Sequence, residues 1–240
     1  MNLCIDIGNT ALKFGIFEGD TLQQQGTSFE ALKDAVVSHV KVAIVSSVVL
    51  EHPVMNWLCD NAIPFLTLSN SLTLPFSIAY TTPDTLGVDR IAAAAGAMNR
   101  FPNQNSLVIT AGSCITYNVI DAKGVFLGGA ISPGVRMRFE ALHHYTAKLP
   151  LVNIDPKADV QWIGSDTKTS IETGVYRAVL NELEGFIRQF DADFENLNIL
   201  ICGGDAPFLV SHLKNNIFAT PSLILEGLNY ILQLNANKLS

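Results

Sequence analysis

The residues from Asp6 to Lys13 could bind a phosphate group. They follow a short apolar run and are Asp6, Ile7, Gly8, Asn9, Thr10, Ala11, Leu12 and Lys13. The glycine lets the backbone approach a ligand closely, and exposed N–H groups with the Asn and Thr side chains can donate to phosphate oxygens. Asp6 could face a metal–phosphate complex, and Lys13 adds a positive charge. A plain hairpin with an Asn in its turn would explain the same pattern.

A second segment of this kind runs from Thr110 to Thr116. It reads Thr-Ala-Gly-Ser-Cys-Ile-Thr, so it places a glycine turn and hydroxyl groups before another alternating apolar strand. One such turn is weak evidence, because glycine turns between strands are frequent. Two of them in corresponding positions could hold a polyphosphate from both sides.

A third segment, Gly87-Val88-Asp89-Arg90, leads into an Ala-rich helix. A hydroxyl that attacks a γ-phosphate needs a carboxylate to position it and accept its proton, and Asp89 is of that type. Arg90 could neutralise an anionic group. The alternative is structural, since a carboxylate at a helix N-terminus caps the helix and complements its dipole. The spacing alone favours this alternative.

Two further glycine-rich segments lie at 128–135 and 201–207. The first has three glycines and a proline in eight residues, which predicts an irregular loop before a helix. Glycines in the second could let an adenine ring lie flat against the backbone. An ordinary strand-to-helix connection would also explain both patterns.

The elements that must position these segments repeat in order. Each copy has a strand, a glycine turn, a second strand, another turn and a third strand, then helices and a buried strand of the parallel type. Asp6–Thr10 in the first copy aligns with Thr110–Cys114 in the second. This order predicts an α/β protein of two similar halves, residues 1–105 and 106–240, around a cleft where ligands bind.

Periodicity also predicts individual elements. It indicates a helix over 29–39, a buried strand over 42–49, a long helix from about Asp166 and a last helix from about Leu223. The long helix carries one apolar stripe at steps of three and four: Val175, Val179, Leu183, Phe186 and Phe190.

Composition excludes several classes of function. The chain has 240 residues, 48% hydrophobic and 15% charged, as is typical of folded domains. Its net charge of −7 repels phosphate backbones, so we expect no nucleic-acid partner. No window approaches the roughly 18 apolar residues of a membrane span, and no signal peptide is predicted. Four cysteines without a CxxC pair give no support to a zinc site and, with no export signal, indicate a cytoplasmic protein.

The ordered set of motifs resembles the type III pantothenate kinases over about residues 1–228. The matching motifs are DIGNT from Asp6, Tyr80 seven residues before GVDR, TAGSCIT from Thr110, GGAISPG from Gly128 with Lys148-Leu149-Pro150 downstream, GSDT at Gly164–Thr167, and CGGDA from Cys202. The resemblance implies the duplicated actin-like ATPase (ASKHA, ribonuclease H-like) fold. It also implies ATP-dependent phosphorylation of pantothenate to 4'-phosphopantothenate, the first step of coenzyme A biosynthesis. The cofactors it implies are Mg²⁺ and a monovalent cation, K⁺ or NH₄⁺, and the assembly is a homodimer with its pantothenate pocket near the subunit interface.

The same resemblance implies roles for residues by position. Asp89 matches the catalytic base, and Asp6 to Lys13 match the first phosphate loop, with Asp6 near the metal–phosphate. Ser113 matches a Thr that contacts ATP. The positions that match pantothenate contacts are Tyr80, Gly87, Val88, Asp89, Arg90 and Thr167.

Two positions depart from the family pattern. The family's second loop usually begins with an Asp that ligates the potassium ion, and here that position is Thr110; Asn118 stands where an Asp is common. A neutral hydroxyl is a poorer ligand than a carboxylate for a hard cation, so the cation requirement and the turnover are both open. Two alternatives remain: a weak or inactive nucleotide-binding regulator of the same fold, or another ASKHA small-molecule kinase.

Overall fold

The fold consists of two β-sheets with helices packed on them, and the computed structural model describes residues 1–36, 40–49, 51–155, 160–213 and 217–239. Within these ranges the strands are β1 (Asn2–Ile7), β2 (Leu12–Glu18), β3 (Thr21–Gly26), β4 (Val42–Ser47), β5 (Phe65–Thr67), β6 (Ser77–Ile78), β7 (Ser106–Ala111), β8 (Cys114–Ile120), β9 (Val125–Pro133), β10 (Asn198–Cys202) and β11 (Phe218–Ala219). The helices are α1 (Phe29–Ala35), α2 (Pro53–Asp60), α3 (Val88–Arg100), α4 (Val135–His144), α5 (Thr167–Asp193), α6 (Ala206–His212) and α7 (Leu223–Leu234), with 3₁₀ turns at Pro83–Thr85 and Ala236–Leu239.

The two sheets share one strand order. The first is β3-β2-β1-β4-β5, and the second is β11-β10-β7-β8-β9-β6. In the first sheet β1 pairs antiparallel with β2 and parallel with β4, and in the second β7 pairs parallel with β10. Without β6, the order β9-β8-β7-β10-β11 repeats β3-β2-β1-β4-β5 strand for strand. The predicted duplication is therefore visible in the topology.

The chain divides into two compact units. The first contains Met1–Gln104, Val119–Gly128 and the chain from Ser222 on, and the second contains Asn105–Asn118 and Gly129–Pro221. The first break lies beside the predicted boundary after residue 105, whereas α7 belongs to the unit that begins at Met1. Compactness and sequence duplication are different criteria, so the predicted halves 1–105 and 106–240 stay a prediction.

Short polar contacts determine where several elements begin and end. Strand β4 ends at Ser47, two residues before the predicted end, because the Ser47 hydroxyl accepts from the Val49 N–H and donates to the Val49 carbonyl. Helix α5 begins after Asp166, as predicted, and Asp166 forms a capping box with Thr169. Helix α1 is described as far as Ala35, and residues 37–39 of the predicted helix lie outside the described residues.

Helices α3 and α7 pack with their backbones in close contact. The α3 residues Ala92 to Ala97 are all buried. A Cβ atom on Gly227 would lie 1.9 Å from the Ala92 carbonyl oxygen, and one on Gly96 would lie 2.3 Å from the Leu223 carbonyl oxygen. This packing holds α3, whose first turn carries Asp89 and Arg90. Among the described residues, no helix combines the length and the apolar character needed to cross a membrane.

The contact between α3 and α7 yields a prediction about stability. Gly227→Ala should lower the free energy of unfolding by about 1–3 kcal/mol, because the added methyl group overpacks a rigid backbone contact. Gly185→Ala on α5 is the matched control. A Cβ atom there meets nothing within 4 Å, so Ala should stabilise that helix by up to about 1 kcal/mol. Urea unfolding followed by circular dichroism measures both; equal stability of the two variants would contradict the close packing.

Candidate active site

Asp6 lies near the end of β1, between two partner strands. Its register partners are Ser46 on β4 and Lys13 on β2. The Ser46 hydroxyl donates to Asp6 Oδ1 at 3.0 Å, and Ser46 is completely buried. Because directly opposed residues of paired strands point to one face of a sheet, Lys13 lies on the same face as Asp6. The first sheet therefore surrounds this carboxyl with one hydrogen-bond donor and one positive charge.

The Asp6 carboxyl is hard to ionise in this environment. Its pKa is raised from 3.8 to about 6, mainly because burial removes the carboxyl from water. The negative charge of Asp89 raises the pKa further. The hydrogen bond from Ser46 and the positive charge of Lys13 lower it. A neighbouring cation would favour the ionised form. In the part of the chain that the structure describes, no three His, Cys, Asp or Glu side chains gather as a metal site. The residues present fit Mg²⁺, which proteins usually bind through one or two carboxylates together with phosphate oxygens.

The loop after β1 presents its backbone and two polar side chains. The Gly8 N–H donates to the Ala11 carbonyl at 3.0 Å, and residues 9–11 are exposed. The side chains of Ile7 and Leu12, in contrast, belong to the core of the first unit. Of the predicted phosphate loop, Ile7 and Leu12 therefore offer no side chain to a ligand, and the Ile7 carbonyl already accepts from the Val48 N–H.

Asp89 lies in the first turn of α3 beside the helix N-cap, which is Gly87. Asp89 is therefore not the capping residue, although a carboxylate in the first turn still complements the helix dipole. Its side chain bends back over Gly87, where a Cβ atom would lie 2.6 Å from Asp89 Oδ1. Gly87 thus leaves the space that the Asp89 carboxyl occupies. The charge of Asp89 also acts on Asp6, so the two carboxyl groups form one electrostatic pair within the first unit.

Arg90 is a buried cation held by two aromatic rings. It is 4% exposed, and its guanidinium carbon lies 5.6 Å from the centroids of both the Tyr80 and the Phe126 rings. The pairing of β6 with β9 brings these rings together, because the Ala79 N–H donates to the Phe126 carbonyl at 3.0 Å. Gly128, with φ of +114°, passes under the Tyr80 ring. The structure therefore groups Tyr80 and Arg90, both predicted pantothenate contacts, and adds Phe126.

The later glycine segments meet at the carboxyl ends of β7 and β10 in the second unit. The Gly134 N–H donates to the Ser113 carbonyl at 3.2 Å. Gly203 has φ of +103°, and a Cβ atom on it would lie 2.1 Å from the Ala111 carbonyl oxygen, which also accepts from the Asp205 N–H at 3.1 Å. In open α/β sheets, ligands bind beyond the carboxyl ends of the strands. The exposed Ser113 is at this edge.

A cavity of about 350 Å³ lies beside these loops and is lined by Val135, Ile154, Gly204, Asp205, Pro207, Phe208 and Ser211. Its walls are mainly apolar and include one aromatic ring, Phe208. Burial raises the pKa of the Asp205 carboxyl above its ordinary value. Mainly apolar walls with a few polar groups are typical of small-molecule sites.

The two positions that depart from the family pattern have local partners. Thr110 Oγ1 lies 3.5 Å from Cys202 Sγ across the β7–β10 pair. Asn118 is completely buried, and its Nδ2 donates to the Val108 carbonyl and to Thr116 Oγ1 at 3.3 and 3.1 Å. Neither position supplies a carboxylate to this part of the second unit.

Thr167, the remaining predicted substrate contact, is the first residue of α5. It is exposed and lines a groove of about 520 Å³ with Leu142, Leu149, Ser170, Ile171 and Gly174. The structure places this groove in the second unit and Tyr80 in the first. A role for Thr167 in substrate binding stays a prediction.

Two residues of the site were not found from the sequence. Ser46 gave a weak signal, since Ser46-Ser47 interrupts the apolar run of β4. Phe126 gave none, because alternation along β9 predicts only a buried aromatic residue. Both become recognisable once the strands are paired.

The buried Asp6 carboxyl makes stability depend on pH. The folded-state pKa is raised to about 6, so the folded chain holds this proton more tightly than the unfolded chain, and stability falls as pH rises from about 4 to 6. Asp6→Asn keeps an acceptor for Ser46 and removes the charge. It should be more stable than the unmodified chain at pH 7.5, by at most about 3 kcal/mol, and equal to it near pH 4. Urea unfolding across this range measures the difference, and a pH-independent difference would contradict the assignment.

Comparisons with known proteins agree with this geometry. Residues 2–189 match the family model of type III pantothenate kinase. A type III pantothenate kinase of Christiangramia forsetii is 43% identical, covering 98% of this chain and 99% of that relative. Among solved structures, a conserved Baf family protein from Campylobacter jejuni has a TM-score of 0.65 at 22% identity, covering 98% of this chain and 99% of the other. The activator of 2-hydroxyisocaproyl-CoA dehydratase from Clostridium difficile, solved with ADPNP, has a TM-score of 0.55 at 12% identity, covering 99% and 95%.

The structural likenesses support the fold, and the sequence likenesses support the family. The predicted α/β, duplicated actin-like ATPase fold is confirmed. The match to the family model and the identity over nearly the whole chain also confirm the predicted family. This chain belongs to the type III pantothenate kinase family.

Proposed function

We propose that this chain transfers the γ-phosphoryl group of ATP to the primary hydroxyl of pantothenate. Membership of the family supports the reaction, because its relatives carry that name. One observation links this reaction to particular residues of the chain. The first unit pairs a buried carboxyl at the end of β1, Asp6, with a second carboxyl in the first turn of α3, Asp89, close enough for the charge of one to shift the pKa of the other.

We assign the binding of pantothenate, the phosphoryl acceptor, to residues around α3. Asp89 would position the pantothenate hydroxyl and accept its proton as the new P–O bond forms. Arg90, which packs against the Tyr80 and Phe126 rings, would offer a positive charge to the pantothenate carboxylate. Gly87 leaves room for the Asp89 carboxyl, because a Cβ atom there would lie 2.6 Å from Asp89 Oδ1.

We assign the phosphates of ATP to the two glycine turns. In the first unit, residues 9–11 and Lys13 would donate to phosphates, because the Gly8 N–H already donates to the Ala11 carbonyl. In the second unit, Ser113 would contact phosphates and the cavity beside Phe208 would take the adenine ring. Mg²⁺ bound with ATP would neutralise phosphate charge, and Asp6 is the residue we assign to hold it. Lys13, opposite Asp6 in the β1–β2 pair, adds a positive charge on the same face.

An inactive regulator of the same fold is the less favoured candidate. A carboxyl whose pKa is raised by burial destabilises the folded chain at neutral pH. A regulator without turnover would have no use for that destabilisation, and an Asn would keep the hydrogen bond to Ser46. A homodimer with its pantothenate pocket near the interface remains an expectation from the family resemblance. A cytoplasmic location remains an expectation from the cysteine pattern and from the absence of a predicted export signal.

Substrate and base are tested together. ADP release should be observed with pantothenate and not with sugars or acetate, which separates this reaction from that of another kinase of the same fold. Asp89→Asn should lower kcat with pantothenate by roughly 10²-fold or more, the range expected for loss of a general base, while ATP still binds.

The matched control is Asp84→Asn. Asp84 is an exposed carboxylate five residues earlier that accepts from Asn70 Nδ2, so its loss should leave turnover unchanged. Near-normal turnover of Asp89→Asn would show that Asp89 serves only the helix dipole.

The monovalent cation requirement should be weak in this chain. A carboxylate at position 110 would supply charge as well as a ligand, whereas Thr110 supplies one neutral oxygen that lies against Cys202. We expect activity to depend little on millimolar K⁺, and Thr110→Asp to introduce a dependence. A K⁺ titration of both proteins in buffer free of sodium and ammonium measures this. An unmodified chain that is inactive without K⁺ and saturates at low K⁺ would overturn the interpretation of Thr110.

A further inference from the structure

Arg138 on α4 connects α5 to the end of β9 in the second unit. Its Nη2 donates to Glu182 Oε2 at 2.6 Å and to Ser132 Oγ at 2.8 Å, and its Nε donates to the Pro133 carbonyl at 2.8 Å. The side chains of Arg138 and Glu182 are only 18% and 23% exposed. Charge-assisted bonds of this length in a partly buried site are among the stronger ones in proteins.

Glu182 is itself fixed from the other side. Its Oε1 accepts from the Tyr117 hydroxyl at 2.9 Å, and Tyr117 is completely buried. The Tyr117 ring stacks on Phe186 with 4.0 Å between centroids. Arg138 is therefore anchored to a carboxylate that β8 and α5 both hold in position.

The end of β9, which Arg138 holds, leads into Gly134, and Gly134 contacts the Gly112–Ser113 turn directly. The Gly134 N–H donates to the Ser113 carbonyl at 3.2 Å. A Cβ atom on Gly134 would lie 2.1 Å from the Gly112 carbonyl oxygen, so no side chain separates the two backbones. A shift of Ser132 and Pro133 would move Gly134, and with it the Gly112–Ser113 turn.

We propose that Arg138 is a positioning residue for the nucleotide. It fixes the end of β9 and Gly134 against Glu182, and Gly134 in turn fixes the Gly112–Ser113 turn, where the Gly112 N–H donates to the Cys114 carbonyl. The inference rests on the proposed function in that Ser113 of this turn contacts the phosphates of ATP. Arginine suits the task because its planar fork of donors reaches three acceptors at once, whereas the compact ammonium of lysine on a flexible stem matches such a planar arrangement poorly.

The effect should be confined to ATP. Every member of this network belongs to the second unit, whereas Tyr80 and Arg90, the proposed pantothenate residues, belong to the first and have their own aromatic support. Loss of Arg138 should therefore raise the KM for ATP and leave the KM for pantothenate nearly unchanged. A general loss of folded protein would lower the apparent kcat without this difference between the two KM values.

The experiment compares Arg138→Ala, Arg138→Lys and Glu182→Gln with Arg136→Ala as the matched control. Arg136 lies on the same helix and carries the same charge, but its ion pair with Glu140 is exposed, at 70% and 50%. Calorimetry with Mg²⁺ and a non-hydrolysable ATP analogue should show Kd raised about tenfold for Arg138→Ala. The increase should be smaller for Arg138→Lys and Glu182→Gln, and absent for Arg136→Ala. Steady-state kinetics supply both KM values.

The outcomes separate this inference from the proposed function. If Arg138→Ala binds the analogue as tightly as Arg136→Ala, or if both KM values rise together, the positioning role is wrong even if pantothenate is phosphorylated. If the unmodified chain does not phosphorylate pantothenate while Arg138→Ala still loses nucleotide affinity, the proposed substrate is wrong and the role of Arg138 stands. If Arg138→Ala does not fold, the Kd values of Arg138→Lys and Glu182→Gln decide.

Discussion

The burial of the Asp6 carboxyl is the constraint on which the candidate site of the first unit depends. Strand β1 is paired on both sides, by β2 and by β4, so a charge near its end is removed from water and is costly unless it is compensated. Ser46 compensates part of this cost with a hydrogen bond and Lys13 part of it with charge. Asp89 adds to the cost, because its like charge raises the Asp6 pKa. The two carboxyl groups repel each other in the free protein, and the positive charge of a metal–phosphate complex would reduce that repulsion.

Glycines that permit close contacts contribute to the placement of the site residues in both units. Gly87 admits the Asp89 carboxyl, and Gly227 lets α7 approach α3 until a methyl group could no longer fit. In the second unit, Gly134 and Gly203 bring two loops against the backbone at the end of β7. A backbone contact has no rotamers to change, so positions set in this way are more rigid than positions set by long side chains.

The sequence indicated candidate residues for the chemistry, but it did not indicate the residues that support them. Asp6 and Asp89 were recognisable because a carboxylate at the edge of a glycine segment is a local pattern. Ser46 and Glu182 were not, because each acts on a residue that is distant in the chain: Ser46 is 40 residues from Asp6, and Glu182 is 65 from Tyr117. Such pairs follow from strand register and helix packing, which local periodicity does not encode. The packing of α7 is a similar case, since its apolar periodicity predicts burial without naming the partner.

The position of α7 has a consequence for how the protein is made. This helix packs on β1, β2, β4 and α3, yet the chain from Ser222 on leaves the ribosome long after Gln104. At translation speeds of about 5–20 residues per second, the interval is on the order of ten seconds. During that time the alanine face of α3 has no cover from α7, and a nascent chain with exposed apolar surface is a substrate for chaperones and prone to aggregation. The N-terminal sheet therefore completes its core only after α7 has left the ribosome, more than a hundred residues after Gln104.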